Sequence, residues 1–187
     1  MKAPPAPSVD SLRGRLLNLE GRAGHLYWQA MGRLLAPRLP GWPGREHRET
    51  QEPFNAALNY GYAILASQAH DALLAAGLDP TAGFLHTDRA GKRSLVYDFM
   101  EEFRPAAVDR ALLALVNRGR ALVMEGELLD RESKQRAAEA VLARLATADL
   151  YEGKRHSLRS IIWRQAQRLA TFLRSERPAY VPFAARW

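Results

Sequence analysis

The chain has 187 residues, 47% of them hydrophobic and 25% charged, which suits one substantial domain with its own core. It has no cysteine, which excludes disulfides, thiol catalysis and cysteine-ligated zinc or iron–sulfur centres. A surplus of 27 Lys and Arg over 20 Asp and Glu leaves a charge of +7, carried mostly by arginine, and favours a polyanionic partner.

The opening "MKAPPAPSVD" has no apolar signal core, and no run is long enough to span a bilayer. A cytoplasmic location without a membrane partner is therefore expected. Residues 1–9 read as a linker or ragged start, residues 10–176 as one helical domain, and residues 177–187 as an extended tail. The first helix is marked by apolar residues at Leu12, Leu16, Leu19, Ala23, Leu26, Tyr27, Ala30 and Leu34, the expected inner face. It ends before "APRLPGWPGREHRET", whose prolines and glycines demand a loop. A second helix begins at Pro53, a favoured first-turn position, and Gly77 and Pro80 stop it.

The next segment, "GFLHTDRAGKRSLVYDFMEEFRP", is irregular, and the chain is expected to hold at most one short hairpin, around residues 84–97, and no β-domain. A short helix is expected near Ser94, then a break or kink at Pro105 before "AAVDRALLALVNRG". Asp130 caps a further helix, and the last runs from about Ser157 to Arg174. Its inner face carries Leu158, Ile161, Ile162, Gln165, Leu169 and Phe172. No segment shows sustained two-residue alternation and there is no internal repeat, so the fold class is all-α.

Three residues stand out as carriers of chemistry. Glu20 lies roughly 60° from the centre of the first helix's apolar stripe and so borders the interior. His86 ends one apolar run and Asp98 sits within another. Each alone is an ordinary polar residue at an element's edge. Together, one nitrogen and two oxygen donors without sulfur suit Mg²⁺ or Mn²⁺, and such a site on a basic protein fits phosphodiester chemistry. Spacing alone does not bring Glu20 to the other two.

The segments "LEGRAGHLYW", "EPFNAALNYGYAIL", "AAGLDPTAGFLHTDRAGKRSLVYDFMEEFRP" and "HSLRSIIWRQAQRLATFL" resemble, in order, the signature segments of the CRISPR-associated integrase family, Cas protein one. The resemblance covers residues 12 to about 183. It implies the family's helical catalytic domain, here without the usual N-terminal β-rich domain. It also implies a metal-dependent endonuclease and integrase of spacer acquisition, in which a DNA 3′-hydroxyl attacks a phosphodiester. The family's divalent-metal ligands carry over to Glu20, His86 and Asp98, whose donor atoms should stand near a common point even without metal.

The implied partners are branched, repeat or prespacer DNA, a second copy of the chain, and a companion small CRISPR adaptation protein. Lys154, Arg155, Arg159, Arg164 and Arg168 are the candidates to track a phosphate backbone, with a solvated helix face as the plainer account. Asn55, Asn59 and Tyr62 share one strip of the second helix and are candidates to support the site by hydrogen bonds. Tyr27 and Trp28 read as core aromatics. Two other readings remain at this point: a related, casposase-like transposon integrase, and a non-catalytic DNA-binding or assembly subunit.

Overall fold

The computed structural model describes residues 8–46, 49–86 and 92–185. The order is α1 (Val9–Leu35), α2 (Pro53–Ala75), α3 (Ser94–Met100), a π-helical turn (Pro105–Asp109), α4 (Arg110–Asn117), β1 (Met124–Glu125), β2 (Leu128–Leu129), α5 (Arg131–Ala146), β3 (Ala148–Tyr151), β4 (Lys154–Ser157) and α6 (Leu158–Leu173). The mostly helical class agrees with the sequence.

Helix α2 is the centre of the packing. Pro53 opens it, and the Glu52 carboxylate accepts from the amides of Phe54 and Asn55 at 3.0 and 2.7 Å. These are two of the donors that a helix start leaves without intrahelical partners. Phe54, Leu58, Leu65, Ala69 and Leu73 are fully buried, and α3, the π turn, α5 and α6 pack around them. Gly61 permits the tightest approach, since a Cβ there would stand 2.6 Å from a Val108 methyl on the π turn. Pro105, where the sequence predicts a break or kink, begins that π turn, and the chain then continues directly into α4.

Three sequence expectations need correction. Among the described residues there is no strand around 84–97; residues 94–97 are helical, and residues 87–91 lie outside the described residues. Two antiparallel hairpins occur elsewhere instead, pairing Met124 with Leu129 and Ala148 with Ser157. Their two-residue turns are Gly126–Glu127 and Glu152–Gly153. The second hairpin leads straight to Ser157, whose hydroxyl caps α6 through the amide of Ser160.

The second correction concerns α1. Leu16, Leu19, Leu26 and Leu34, expected to face inward, are 39–66% exposed, whereas Met31 and Leu35 are buried. Tyr27, Trp28, Met31 and Leu35 pack on the body, a face rotated roughly 100° from the predicted stripe. Periodicity identified the helix but could not say which of its faces meets the protein. Glu20 lies roughly 35° from the centre of the true packing face, nearer the body than the sequence implied.

The third is the tail, which is docked and does not extend away. Phe183 is buried and stacks on Phe103 at 5.7 Å. Its amide donates to the Glu102 carboxylate at 2.8 Å, the Tyr180 hydroxyl donates to the same group, and Gln165 donates to the Val181 carbonyl at 3.0 Å. Phe183→Ala should therefore cost about 3 kcal/mol of stability, from lost burial plus a residual cavity. Chemical denaturation checks this, and a cost below about 0.5 kcal/mol would mean that the tail lies free in solution.

Candidate active site

Asp98, on α3, is the organising group of the His86 loop. Its Oδ2 accepts from the amides of Phe84 and Leu85 at 2.5 and 2.9 Å. Its Oδ1 accepts from the His86 amide at 3.1 Å and faces His86 Nδ1 at 2.5 Å. A carboxylate that is an acceptor only assigns the proton to Nδ1, which leaves Nε2 with the free lone pair. The Asp98 side chain is 9% exposed and the His86 side chain 42%, so the clamp is inside and the imidazole looks out. Gly83 has to be glycine, because a Cβ there would lie 2.5 Å from Ser94 Cβ and 2.7 Å from the His86 carbonyl.

Glu20 stands elsewhere. With Tyr27, Tyr62, Arg45, Glu101, Arg104 and Asp109 it lines a cavity of about 930 Å³ between α1, the 42–46 segment and the π turn. Glu101 accepts from Arg104 at 2.5 Å. The expected trio is therefore brought together only in part: His86 and Asp98 meet, and Glu20 shares a wall with Glu101. Among the described residues, no three His, Asp or Glu side chains gather closely enough to hold a metal ion. The expectation of a preassembled trio is not met.

Beneath Glu20 and Glu101 lies a buried polar cluster that the sequence did not reveal. Asp109 is 1% exposed and accepts from Tyr27 at 2.7 Å and from Tyr62. Burial pushes its carboxyl up to about 6, while the two hydroxyls, Arg104 and Arg45 pull the other way. Burial and the Asp109 charge raise both tyrosines far above their ordinary range, which keeps them as donors. Arg104 lies over the Tyr62 ring at 4.2 Å, and Arg45 over the same ring at 5.5 Å.

Asn55 and Asn59 serve this cluster. Both accept from Arg45, at 3.2 and 2.6 Å, and Asn55 ties the preceding loop through Glu46 N and Gly44 O. With Tyr62 they support the Glu20 side of the site, not the His86 loop. Glu101, Arg45, Arg104 and Asp109 were absent from the sequence candidates. The available signal was an aspartate set among apolar residues in "AAVDRALLALV", which demands buried partners.

The basic candidates divide. Lys154, Arg155, Arg159 and Arg164 are exposed, Arg155 also donating to the Ala148 carbonyl at 3.0 Å. Arg168 is already engaged, paired with Glu152 and lying over the Tyr151 ring at 4.9 Å. Among the described residues, no helix is long and apolar enough to cross a membrane.

A helical body with acids and an imidazole on a basic chain does not by itself define a class of protein; similarity to known proteins does. Residues 2–143 match the family model "CRISPR associated protein Cas1", and the chain belongs to that family. It is 37% identical to CRISPR-associated endonuclease Cas1 1 of Archaeoglobus fulgidus, over 97% of this chain and 56% of the relative. A solved Cas1 protein from Thermotoga maritima matches with a TM-score of 0.78 and 26% identity, over 90% of this chain and 53% of that one. A chain of a Cas6-RT-Cas1–Cas2 complex matches with a TM-score of 0.76 and 25% identity, over 94% of this chain and 20% of that one. The chain thus spans about half the length of the curated relatives it matches.

Proposed function

We propose that the chain is the catalytic unit of a divalent-metal-dependent DNA integrase and endonuclease of CRISPR adaptation. A DNA 3′-hydroxyl attacks a phosphodiester, a new phosphorus–oxygen bond forms, and the displaced strand leaves with its own 3′-hydroxyl. Water in place of that hydroxyl gives hydrolysis. Membership in the Cas1 family and the endonuclease name of the A. fulgidus relative support this reading.

The observation that carries the site is the fourfold occupation of Asp98. With both oxygens accepting from N–H groups, Asp98 orients His86 and has little capacity left for a cation. Nε2 of His86 has no hydrogen-bond partner among the described residues, and Glu20 and Glu101 line one cavity. One nitrogen and two carboxylates are donors of the type that suits Mg²⁺ or Mn²⁺; no three such side chains among the described residues already stand close enough to hold an ion, so binding would have to draw these three together. We therefore assign Glu20, His86 and Glu101 as ligands and Asp98 as the residue that holds His86. A divalent ion held by these residues would supply Lewis-acid polarisation of a phosphoryl oxygen. Arg104 holds Glu101 in place by donating to its carboxylate.

The partners follow from the same reading: branched, repeat or prespacer DNA, a second copy of the chain, and a Cas2-like companion such as the one named with the matched Cas6-RT-Cas1–Cas2 structure. The test is metal-dependent strand transfer and its reversal on branched DNA, for wild type beside His86→Ala. Activity in the wild type alone supports the reading. Equal activity in both removes the site from the mechanism, and none in either favours a non-catalytic DNA-binding subunit.

DNA affinity should fall steeply with salt, by about 0.9 decade per decade of salt for each duplex phosphate neutralised. Arg159→Ala with Arg164→Ala should reduce that slope by up to about two units, whereas Arg168→Ala should change it little. A slope indifferent to Arg159 and Arg164 would assign this helix face to solvent.

A further inference from the structure

Helix α1 presents Arg13, Glu20 and Tyr27 at intervals of seven residues, hence on one face and roughly 10 Å apart along the axis. Each neighbour of Glu20 in this row is bonded to a different part of the body. Arg13 donates through Nε and a terminal nitrogen to the Phe84 carbonyl, at 3.2 and 3.1 Å. Phe84 belongs to the loop that Asp98 clamps and that carries His86. On the other side, Tyr27 donates to Asp109 at 2.7 Å, and Asp109 also holds Tyr62, under the guanidinium that pairs with Glu101. Glu20 thus sits midway between one latch to the His86 loop and another to the Glu101 segment.

Among the described residues nothing apolar does this work near Glu20. Leu16, Leu17 and Leu19 are 39–52% exposed, and the buried side chains described on α1 lie toward its C-terminal end, at Met31 and Leu35. A helix held by packing at one end alone pivots, and a ligating carboxylate must be held to within about 0.5 Å. We propose that Arg13 and Asp109 are positioning residues, which latch α1 on both sides of Glu20 and so limit the movement its carboxylate needs to meet His86 and Glu101 on an ion. This rests on the assignment of Glu20 as a ligand made above. Tyr27 transmits the Asp109 latch, and no proton transfer is involved.

The test is Mn²⁺ affinity, by calorimetry and by the electron paramagnetic resonance of free ion, for Glu20→Gln, Tyr27→Phe, Arg13→Gln and the two doubles with Glu20→Gln. Circular dichroism melting of each variant verifies that the fold persists. Glu20→Gln should weaken Mn²⁺ binding, and each latch variant should weaken it about tenfold. In the Glu20→Gln background the latch variants should add less than about twofold, because they act through that carboxylate. Amide exchange over residues 14–26 should also quicken in both latch variants. Full additivity in the doubles, or latch variants that bind Mn²⁺ as wild type does while Glu20→Gln does not, overturns the latches alone. Unchanged affinity in Glu20→Gln overturns the ligand assignment and the latches with it.

Discussion

Glu101→Gln should abolish metal-dependent strand transfer as thoroughly as Glu20→Gln or His86→Ala, by about a thousandfold, whereas Asp98→Asn should cost only about 10–100-fold. The difference follows from what each carboxylate already does. Glu101 accepts from Arg104 and lines the cavity beside Glu20, so under the proposed assignment its removal takes a ligand from the cation. Asp98 spends its two oxygens on three backbone amides and the His86 ring. An amide at that position retains one acceptor oxygen and turns an NH₂ toward donors. The loop loosens and the imidazole loses its fixed tautomer, but Nε2 can still bind. Raising Mn²⁺ should therefore restore much of the Asp98→Asn activity and none of the Glu101→Gln activity. The opposite pattern would return Asp98 to the ligand set.

The second large effect concerns Asp109 and pH. Burial raises its carboxyl from an ordinary 3.8 to about 6. Between those values the folded chain holds a proton that the unfolded chain has released, so this group's contribution to stability falls as pH rises through that window. The full change is about 3 kcal/mol, at 1.36 kcal/mol per unit. Below about pH 4 and above about pH 6 the contribution is level. Burial also raises Glu102, so the measured quantity is the unfolding free energy of wild type minus that of Asp109→Asn. This difference should decline from pH 4 to pH 6, and a difference that climbs over the window would contradict the account. Asp109→Ala should cost about 3 kcal/mol at neutral pH, because two tyrosine hydroxyls and the nearby guanidiniums lose a buried acceptor.

Helices were the legible part of this chain. Pro53 with the Gly77 and Pro80 stop, Asp130 and Ser157 each carry a local capping signal, and the structure begins or ends a helix at or beside each. The hairpins were not legible. Strands of two and four residues offer too little alternation to register, although "EGE" and "EGK" supply glycine at both turns. The face of α1 was missed for a different reason. Its leucines form a regular stripe, but Tyr27 and Trp28 beside Met31 are the residues that meet the body.

Within the candidate site, sequence motifs singled out Glu20, His86 and Asp98, of which the structure joins only the last two. Their division of labour depends on distance alone. That Asp98 clamps the His86 loop, that Glu101 lines the same cavity as Glu20, and that Tyr27 ends on Asp109 are spatial relations across 12 to 82 residues. No periodicity encodes such pairings. The tail misled in the same way: "RPAYVPFAARW" lacks regular structure, yet Tyr180 and Phe183 dock on Glu102 and Phe103.

In the proposed site Glu20, His86 and Glu101 hold the cation while Asp98 holds His86. Anomalous diffraction from crystals grown with Mn²⁺ locates the ion. A peak should appear within bonding distance of His86 Nε2 and of carboxylate oxygens from Glu20 and Glu101, with Asp98 still accepting from residues 84–86. A peak bonded to Asp98, or one remote from Glu20, would contradict this assignment.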